Sequence, residues 1–467
     1  MTDPEIFDVV VLGGGPAGEN IAQYATEQSG LTAAIVEREL VGGECSYYAC
    51  MPSKALLRPI EIAATAAHLQ GLTVPTIDRE ALLARRDYWV SSYSDQGQVD
   101  WAEGAGIAVV RGVGRITGER EVTVESAEGT KVLRARQVVV LATGSEPTVP
   151  QVYASVAPWG SRDATGIVEV PDRIVVVGGG VVACEAATWL NALGAKVTLL
   201  VRGERLLPRA EPFASDLTLK ALRAAGVEVR LGATVTACRR DKAADTGLGR
   251  IHGGQVTVTT TDGEVTADEI LVAAGRKPRV YGLGLESVGL DPERLELPDW
   301  LLTVGDASGE APLTHWGKYR ARVKGEQLAA RVQGDPVPQP PDHVPVPQVV
   351  FTDPQVAWVG LTESEAREMY EDVDVVQVPW SSASGAALLR DDVEGGAQLV
   401  VDRASRTVVG ATFVGPEAGE LLHAATIAIV GRVPVHVLRH AVPSYPTASE
   451  LWLRLLEELP RDYRLPS

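Results

Sequence analysis

The organisation of this chain is most easily recognised from one segment, Gly42-Gly43-Glu44-Cys45-Ser46-Tyr47-Tyr48-Ala49-Cys50-Met51-Pro52-Ser53-Lys54. Pro52 is tolerated in the first turn of a helix, where its missing N–H would be unpaired anyway. We therefore predict a helix from Ser53 towards Gln70, kinked or interrupted at Pro59. Thiols at a helix N-terminus face the positive end of its dipole, which favours the thiolate. The cysteine pair thus suits reversible disulfide chemistry, although two buried structural cysteines are the alternative that spacing leaves open.

Composition and charge narrow the class of protein. At 467 residues the chain is too long for one ordinary core, so we expect several domains. A content of 45% hydrophobic and 22% charged residues is that of a globular protein. The net charge of −18 argues against nucleic acid as a partner. We expect no membrane association, because no apolar run approaches spanning length, and the acidic N-terminus is not that of a signal peptide.

Cysteine usage indicates an intracellular enzyme. The cysteines are Cys45, Cys50, Cys184 and Cys238, too few for a secreted disulfide framework. One close pair in an intracellular enzyme favours redox catalysis. We predict no metal site, because no histidine follows the pair at zinc-ligand spacing. The protein is therefore expected in the cytoplasm, with Cys184 and Cys238 as packing residues.

The start of the chain has the pattern of a dinucleotide-binding unit. An apolar strand, Phe7–Leu12, leads into the glycine-rich run 13–18, then a helix, then a second strand that ends at Glu37. The glycines that provide the tight turn, the close approach to pyrophosphate and the helix–strand packing are Gly13, Gly15 and Gly18. The helix N-terminus holds the phosphates, and Glu37 accepts a hydrogen bond from a ribose hydroxyl.

The same pattern recurs later and predicts a second dinucleotide. A strand at Arg173–Val177 leads into a second glycine-rich turn, a helix and a strand at Lys196–Val201. The positions that correspond to the three glycines are Gly178, Gly180 and Ala183. The acid expected at the end of the second strand is missing.

This missing acid bears on the choice of nicotinamide cofactor. Without a carboxylate, a free ribose 2′-hydroxyl loses its hydrogen-bond acceptor, whereas Arg202 and Arg205 can bind a 2′-phosphate. We therefore favour NADP(H) over NAD(H). Glu204 weakens this preference, and the alternative is that both arginines are solvated in a loop.

The last part of the chain has a different pattern. A proline-rich segment, Asp335–Gln348, is typical of a linker. After it, Thr362 and Glu365 form a capping box at the start of a helix, several short strands follow, and Leu451–Leu459 is an amphipathic helix. This pattern predicts a separate α+β domain with an antiparallel sheet.

Taken in order, these parts resemble the class I pyridine nucleotide–disulfide oxidoreductases, the family of glutathione reductase, dihydrolipoamide dehydrogenase, mycothione reductase and mercuric reductase. The matching motifs are the two glycine-rich turns, the cysteine segment, Ala142-Thr143-Gly144, Gly305-Asp306 and Tyr445-Pro446-Thr447-Ala448-Ser449-Glu450. The resemblance covers essentially the whole chain, and its motifs are specific for the superfamily but not for a substrate.

The resemblance implies an α/β fold with two Rossmann-like dinucleotide-binding domains, for FAD and NAD(P), and a C-terminal α+β dimerisation domain. The implied domains are 1–150 (first part of the FAD domain), 151–276 (NAD(P) domain), 277–343 (second part of the FAD domain) and 344–467 (dimerisation domain). The FAD-binding candidates outside the first glycine-rich unit are Gly43, Thr143, Gly144, Gly305 and Asp306. Asp306 at a strand end would orient the ribityl chain, although Gly-Asp in isolation is only a turn signal.

The resemblance also implies an electron path from nicotinamide through flavin to the cysteine pair. Cys50 would be the thiolate that forms a charge-transfer complex with the flavin, and Cys45 the interchange thiol that attacks the substrate. Lys54 and Glu185 match the pair that lies beside the reactive flavin nitrogen. For Glu185, an ordinary acid on a helix surface is the alternative.

The C-terminal motif departs from the family pattern. Disulfide reductases of the family carry a histidine, paired with a glutamate, as the acid–base group, whereas this chain has Tyr445 and retains Glu450. A phenol, with a pKa of about 10, donates a proton but is a poor base at neutral pH. Mercuric reductases are similar in this tyrosine, but this chain ends without their cysteine pair. His436 and His440 are candidate replacements, and we prefer to interpret both as surface residues at a helix end.

Two aromatic residues lie between the cysteines. Tyr47 and Tyr48 replace smaller residues of the family, so they either narrow the substrate pocket or offer a stacking surface. Core packing under the flavin is an equally good interpretation for one of them.

These observations support several functions. The leading hypothesis is a homodimeric FAD enzyme that passes electrons from NADPH through Cys45 and Cys50 to a small-molecule acceptor, a disulfide. The alternative is a reductase of a non-disulfide acceptor, such as a quinone, a metal ion or a specialised metabolite, because Tyr445 replaces the histidine. A flavoprotein with a structural or binding role comes last, since such a role requires neither the cysteines nor Lys54 and Glu185.

Overall fold

The computed structural model describes residues 3–294 and 296–466 and divides into two compact units. The first unit comprises the chain up to Pro52, Arg86–Thr148 and Gly275–Pro340. The second comprises Ser53–Arg85, Val149–Ala274 and the chain from Pro341 onward. In the described part of the chain, no helix is both long enough and apolar enough to cross a membrane.

Strands and helices are both abundant. The strands are β1 Glu5–Leu12, β2 Ala33–Glu37, β3 Ile107–Arg111, β4 Val113–Gly118, β5 Glu121–Ser126, β6 Gly129–Leu141, β7 Ser145–Pro147, β8 Arg173–Val177, β9 Lys196–Leu200, β10 Glu228–Arg230, β11 Val235–Arg240, β12 Val256–Thr260, β13 Gly263–Ala267, β14 Glu269–Val272, β15 Arg276–Pro278, β16 Leu301–Thr303, β17 Gln348–Val350, β18 Gln355–Gly360, β19 Val373–Pro379, β20 Gly396–Asp402 and β21 Thr407–Gly415. The α-helices are α1 Pro16–Thr26, α2 Gly43–Tyr47, α3 Cys50–Ala67, α4 Arg79–Trp89, α5 Gln96–Gly104, α6 Ser161–Thr165, α7 Val181–Ala192, α8 Pro212–Ala224, α9 Thr314–Gln333, α10 Glu363–Met369, α11 Ser384–Ala387, α12 Ala418–Val430, α13 Val435–Leu438 and α14 Glu450–Glu458.

The first unit is built on a sheet in the order β3-β2-β1-β6-β5-β4, with β16 also paired to β6. Strands β3, β2, β1, β6 and β16 form parallel pairs, whereas β5 pairs antiparallel with β6 and β4 pairs antiparallel with β5. Both faces of β1 are buried: Val9 and Val11 pack with Ile21 of α1, and Val10 and Leu12 pack on the other face. This explains the continuous apolar run in the sequence.

The second unit contains the second predicted dinucleotide-binding fold. Its parallel sheet has the order β10-β9-β8-β14 and is accompanied by α7 and α8. Beside it in the chain lies an antiparallel sheet of β11, β12 and β13. The strand–glycine-turn–helix pattern that was recognised at β8 and α7 is therefore confirmed.

The C-terminal part of the second unit carries the predicted antiparallel sheet, in the order β17-β18-β21-β20-β19. Its core includes Trp380, Phe413, Leu455 and Tyr463, all essentially inaccessible to solvent. The capping box is present, since Thr362 Oγ1 accepts from Glu365 N–H and Glu365 Oε2 accepts from Thr362 N–H. The α/β fold class with a C-terminal α+β part is thus confirmed.

The helix after the cysteines differs from the prediction. It begins at Cys50 rather than Ser53 and continues through Pro59 to Ala67, so the predicted interruption is wrong. A proline inside a helix deprives the carbonyl four residues earlier of its donor. Here that carbonyl, on Ala55, accepts a hydrogen bond from Arg85 Nε at 3.3 Å. A side chain therefore replaces the missing backbone donor.

Candidate active site

A glycine pair holds the cysteine segment against the first glycine-rich turn. Gly42 and Gly43 have φ values of 105° and 56°, in the left-handed region that favours glycine. A Cβ on Gly43 would lie 2.8 Å from the Cα atom of Gly15. Gly42 N–H also donates to Gly14 C=O at 2.7 Å. Side chains are thereby excluded where the two backbones meet, and Cys45, in α2, is brought to the dinucleotide turn.

The two cysteines lie close together and are joined by a hydrogen bond. Neither cysteine is in a disulfide, and Cys45 lies in α2 while Cys50 opens α3. The hydrogen bond from Cys45 to Cys50, followed by burial and the charge of Cys50, raises the pKa of Cys45. Cys45 is therefore the donor of this hydrogen bond, and Cys50 Sγ is the acceptor.

Thr314 and Lys318 act on these thiols in the opposite direction. The Thr314 hydroxyl lies 3.2 Å from Cys50 Sγ. Its hydrogen bond to Cys45 and the positive charge of Lys318 both lower the pKa of Cys45. Sequence reasoning missed both residues. Thr314 is the first residue of α9 and follows the Gly305-Asp306 motif, but a threonine at a helix start is too common to identify a site.

A hydrogen-bonded chain connects the cysteine segment to Asp306. Ser145 Oγ donates to Asp306 Oδ2 at 2.5 Å and accepts from Arg276 Nε at 2.8 Å. Arg276 Nη2 in turn lies 3.4 Å from Glu44 Oε1, beside Cys45. Asp306 is thereby oriented, and Ser145 and Arg276 are two residues that no sequence motif indicated.

The predicted residues Thr143 and Gly144 form the turn that leaves β6. Thr143 Oγ1 donates to the carbonyl of Arg279 at 2.5 Å, and Gly144 has a φ of 73°. Arg279 N–H donates to Gly144 C=O at 2.9 Å. The turn is therefore joined to the segment that follows β15, and Gly305 opens a single helical turn with a φ of 63°.

The first glycine-rich turn fits a dinucleotide. Gly13 has a φ of 107°, and a Cβ on Gly18 would lie 2.0 Å from the Gly13 carbonyl oxygen, so neither position accepts a side chain. Gly15 caps α1, and no described atom lies within 4 Å of the position its Cβ would take. The first N–H groups of α1 are thus open to a phosphate. Glu37 is buried, and its Oε2 accepts from Gly14 N–H at 2.7 Å, which fixes the carboxylate at the end of β2.

The second turn has the same geometry. Gly178 has a φ of 130°, Gly180 caps α7 in an extended conformation, and Ala183 is fully buried where the third glycine would stand. Arg202 and Arg205 are exposed just beyond β9. Arg205 Nη2 donates to the carbonyl of Pro208 at 2.8 Å. The turn therefore fits a second dinucleotide.

Lys54 and Glu185 form an ion pair in the second unit. Lys54 Nζ lies 2.8 Å from Glu185 Oε2, and Glu185 Oε1 accepts from Phe351 N–H at 2.9 Å. Lys54 Nζ also lies 4.7 Å from the centroid of the Phe351 ring. Glu185 is only 3% exposed, so the alternative of an acid on the helix surface is wrong.

The C-terminal motif separates its two predicted site residues. Tyr445 is 76% exposed, whereas Glu450 is 4% exposed and accepts from Gly385 N–H at 3.1 Å. His440 is exposed as predicted, but the surface interpretation of His436 is wrong. Its Nδ1 is buried and finds no hydrogen-bond partner among the described residues.

The remaining cysteines and the two tyrosines have clear environments. Tyr47 is 1% exposed and donates to Gln98 Oε1 at 2.9 Å, so core packing is its role. Tyr48 is half-buried, and its ring centroid lies 5.7 Å from that of Tyr93. Cys184 is fully buried, as a packing residue should be, and Cys238 is half-buried.

Comparison with known proteins decides the family. The family profile described as pyridine nucleotide-disulphide oxidoreductase matches residues 7–296. The chain belongs to this family. It is therefore an enzyme that uses FAD and a pyridine nucleotide. The dimerisation-domain profile of the same family matches residues 346–455, which supports a homodimer.

Relatives of known activity match over nearly the whole chain. A dihydrolipoyl dehydrogenase from Bacillus subtilis is 31% identical over 95% of this chain and 96% of its own. A mercuric reductase from Shigella flexneri is 31% identical over 95% of this chain and 79% of its own. This protein is thus similar both to a dihydrolipoyl dehydrogenase and to a mercuric reductase.

Solved structures show the same fold. The HOCl-induced flavoprotein disulfide reductase RclA from Escherichia coli superposes with a TM-score of 0.81 at 22% identity, over 97% of this chain and 100% of its own. LpdA from Mycobacterium tuberculosis gives a TM-score of 0.82 at 24% identity, over 97% of this chain and 99% of its own. At these identities the likeness concerns the fold.

Proposed function

We propose that this enzyme transfers electrons from NADPH through the Cys45–Cys50 pair to a small disulfide. The observation that carries the proposal is the close pair of Cys45 in α2 and Cys50 at the start of α3, joined by a hydrogen bond that raises the pKa of Cys45. FAD, when bound, accepts two electrons from a reduced nicotinamide and delivers them to a disulfide.

The chemistry on the protein side is thiol–disulfide exchange. Cys45, once deprotonated, attacks one sulfur of the substrate; a mixed disulfide forms and the first substrate thiolate leaves. Cys50 then attacks Cys45 Sγ, so that the Cys45–Cys50 disulfide forms and the second thiolate leaves. Each thiolate takes up one proton. The substrate is reduced by two electrons, which the cysteine pair supplies.

The surroundings of the pair favour this division of roles. The hydrogen bond to Cys50 raises the pKa of Cys45, and the Thr314 hydroxyl and the charge of Lys318 offset part of this rise. Cys50, held 3.2 Å from Thr314 Oγ1, keeps a hydrogen-bond partner as a thiolate. When FAD is bound, Lys54 and Glu185 would lie beside its reactive nitrogen and Asp306 would orient its ribityl chain.

The preference for NADPH rests on Arg202 and Arg205, which are exposed where a ribose-binding acid is absent. We further propose a cytoplasmic homodimer in which Tyr445 of one protomer faces the cysteines of the other, while Glu450 stays buried and bonded to Gly385 of its own chain. The exposure of Tyr445 is consistent with a residue that acts at a partner's site.

The test of the cysteine roles is a single substitution. Cys50→Ser should abolish the long-wavelength charge-transfer absorbance that appears on partial reduction of wild-type enzyme, whereas Cys45→Ser should retain a band of this kind. The matched control is Cys238→Ser, a cysteine distant in sequence from the pair. Persistence of the band in Cys50→Ser would show that the assignment of the two cysteines is wrong.

A second function is favoured by Tyr445, because a phenol is a poor base at neutral pH. Electrons would then pass to a quinone or a metal ion rather than to a disulfide. Direct reduction of a quinone by the flavin should survive Cys45→Ser, whereas disulfide reduction should not. Equal loss of both activities would exclude the direct route.

A further inference from the structure

A side chain at the start of α5 holds the segment that leads into α2. Asp95 is at the N-cap of α5, and its carboxylate bonds to two residues outside that helix. Asp95 Oδ2 accepts from the N–H of Val41 at 2.7 Å and from Arg111 Nη2 at 2.6 Å. Val41 is fully buried and directly precedes the glycine pair. Asp95 therefore fixes the chain just before the helix that carries Cys45.

The same end of α5 also holds the chain after Cys45. Tyr47, the last residue of α2, donates a hydrogen bond from its hydroxyl to Gln98 Oε1 at 2.9 Å. Burial, followed by the charge of Asp95, raises the pKa of Tyr47 to about 12, so the hydroxyl stays a donor at neutral pH. Cys45 thus lies between two anchored points, and both anchors belong to the first turn of α5 or its N-cap.

Arg111 connects Asp95 to the end of β2. Its Nη1 donates to the carbonyl of Glu39 at 2.9 Å, and the N–H of Glu39 donates to Glu37 Oε1 at 2.7 Å. Only 14% of the Asp95 side chain is exposed, so its charge-assisted bonds are weakly screened by salt. The segment from Glu37 to α2 is therefore held by side chains rather than free to move as a loop.

The need for such anchors follows from the glycine pair. Glycine has more conformational freedom to lose than any other residue, so Gly42 and Gly43 alone would leave α2 mobile. Formation of the Cys45–Cys50 disulfide confines α2, and any freedom that α2 has in the reduced enzyme opposes this step. Bonds that remove the freedom beforehand raise the effective concentration of one thiol at the other. The anchors on α5 therefore favour the disulfide.

We propose that Asp95 is a positioning residue that holds Cys45 where it can form a disulfide with Cys50. Asp95 acts through Val41, and Gln98 supports it through Tyr47. The inference rests on the proposed function, since it concerns the same thiol pair.

The disulfide equilibrium of the FAD-loaded enzyme tests the proposal. The enzyme is equilibrated anaerobically with oxidised and reduced dithiothreitol. The two electrons and two protons that Cys45 and Cys50 lose on forming their disulfide are taken up by oxidised dithiothreitol, whose own disulfide opens. Iodoacetamide then traps free thiols, which are counted by mass spectrometry. Asp95→Ala should lower the equilibrium constant for formation of the enzyme disulfide about tenfold, the effect of the lost charge-assisted bonds.

Three further variants accompany this substitution. Asp95→Asn keeps an oxygen that can accept from the N–H of Val41 but loses the charge, so its equilibrium constant should lie between those of Asp95→Ala and wild type. Tyr47→Phe removes the hydroxyl and keeps the ring, and should lower the constant about threefold, the effect of one neutral hydrogen bond. Asp100→Asn changes an exposed acid of the same helix and should behave as wild type.

Turnover provides a readout that a purely structural role would not change. Cys50 must reach Cys45 Sγ to resolve the mixed disulfide, so Asp95→Ala should lower kcat for disulfide reduction about tenfold with little change in KM. Quinone reduction by the flavin, measured per bound FAD, should stay at the wild-type rate. A substitution that only destabilised the fold would leave both rates per bound FAD unchanged.

The outcomes separate this inference from the proposed function. If disulfides reoxidise the reduced enzyme while Asp95→Ala keeps the wild-type equilibrium constant, the inference is overturned and the function stands. If the constant falls in Asp95→Ala but no disulfide reoxidises the enzyme, the positioning role stands and disulfide reduction fails. If Asp95→Ala does not fold with FAD, wild-type constants in both Asp95→Asn and Tyr47→Phe overturn the inference, whereas a lowered constant in either supports it.

Discussion

At the residue scale, the reactivity of the thiol pair depends on where one proton lies. The hydrogen bond to Cys50 holds it on Cys45, while Thr314 and Lys318 work to release it. The sequence predicted both cysteines, because their spacing and the following Pro-Ser-Lys are local features. It did not indicate Thr314, Lys318 or Glu19, since these residues come from helices far apart in the chain and meet only in the folded unit. Their roles depend on their distances to the thiols in the folded protein, which the spacing of residues in the sequence does not give.

Glu19 leads to a prediction on pH and stability. Burial raises its pKa from 4.5 to about 7 on folding. The folded state therefore keeps a proton that the unfolded chain has lost, and stability falls as pH rises through this interval, by on the order of 3 kcal/mol. Glu19→Gln should remove this loss, so the variant should be more stable than wild type at pH 8 and similar to it at pH 5. Urea unfolding at both pH values measures the difference.

The control for this prediction is Glu27→Gln, an exposed acid just beyond the end of α1. It should show the same change of stability with pH as wild type. An unchanged pH slope in Glu19→Gln would mean that the Glu19 carboxyl is ionised at neutral pH in the folded protein.

At the scale of secondary structure, the turns, the caps and the helix α3 were predicted, but α3 has no interruption at Pro59. Local sequence patterns predict the glycine turns, the capping box of Thr362 and the apolar strands, because each depends on residues that are near one another in the chain. The continuity of α3 through Pro59 depends instead on Arg85, which lies in another helix and bonds to Ala55 C=O. The series of hydrogen bonds that links Glu44 to Asp306 likewise depends on residues that are distant in sequence.

A double-mutant cycle tests the account of α3. Arg85→Met should cost about 1 kcal/mol in the wild-type background, the contribution of one hydrogen bond. In Pro59→Ala the backbone N–H of residue 59 can bond to Ala55 C=O, so the cost of Arg85→Met should fall towards zero. Urea unfolding of the four proteins gives the coupling energy. Additive effects of the two substitutions would contradict the replacement of the backbone donor by Arg85.

At the scale of the whole molecule, the order of the motifs predicted the family and the α/β class with two dinucleotide-binding folds. The division into domains at 150, 276 and 343 stays a prediction. The choice between NADPH and NADH also stays a prediction, because the exposed position of Arg202 is the same for an arginine that binds a 2′-phosphate and for one that is only solvated. The order of the motifs along the chain identifies the fold more securely than it identifies the substrate.

The proposed homodimer yields a prediction at this scale. If Tyr445 acts on the cysteines of the partner protomer, dissociation should abolish disulfide reductase activity. Activity per chain should therefore fall on dilution in parallel with the dimer fraction measured by analytical ultracentrifugation. The quinone activity of the same samples is an internal control for loss of FAD. Constant disulfide reductase activity in demonstrated monomers would contradict the shared site.

The most direct test of the central claim is an anaerobic titration of the FAD-loaded enzyme with NADPH, and separately with NADH, followed by mixing with disulfides and quinones. We predict that NADPH reduces the enzyme through a charge-transfer species, with uptake of two electrons more than FAD accepts, and that a disulfide reoxidises it. Uptake limited to the electrons of FAD, with reoxidation by quinones only, would contradict electron transfer through Cys45 and Cys50.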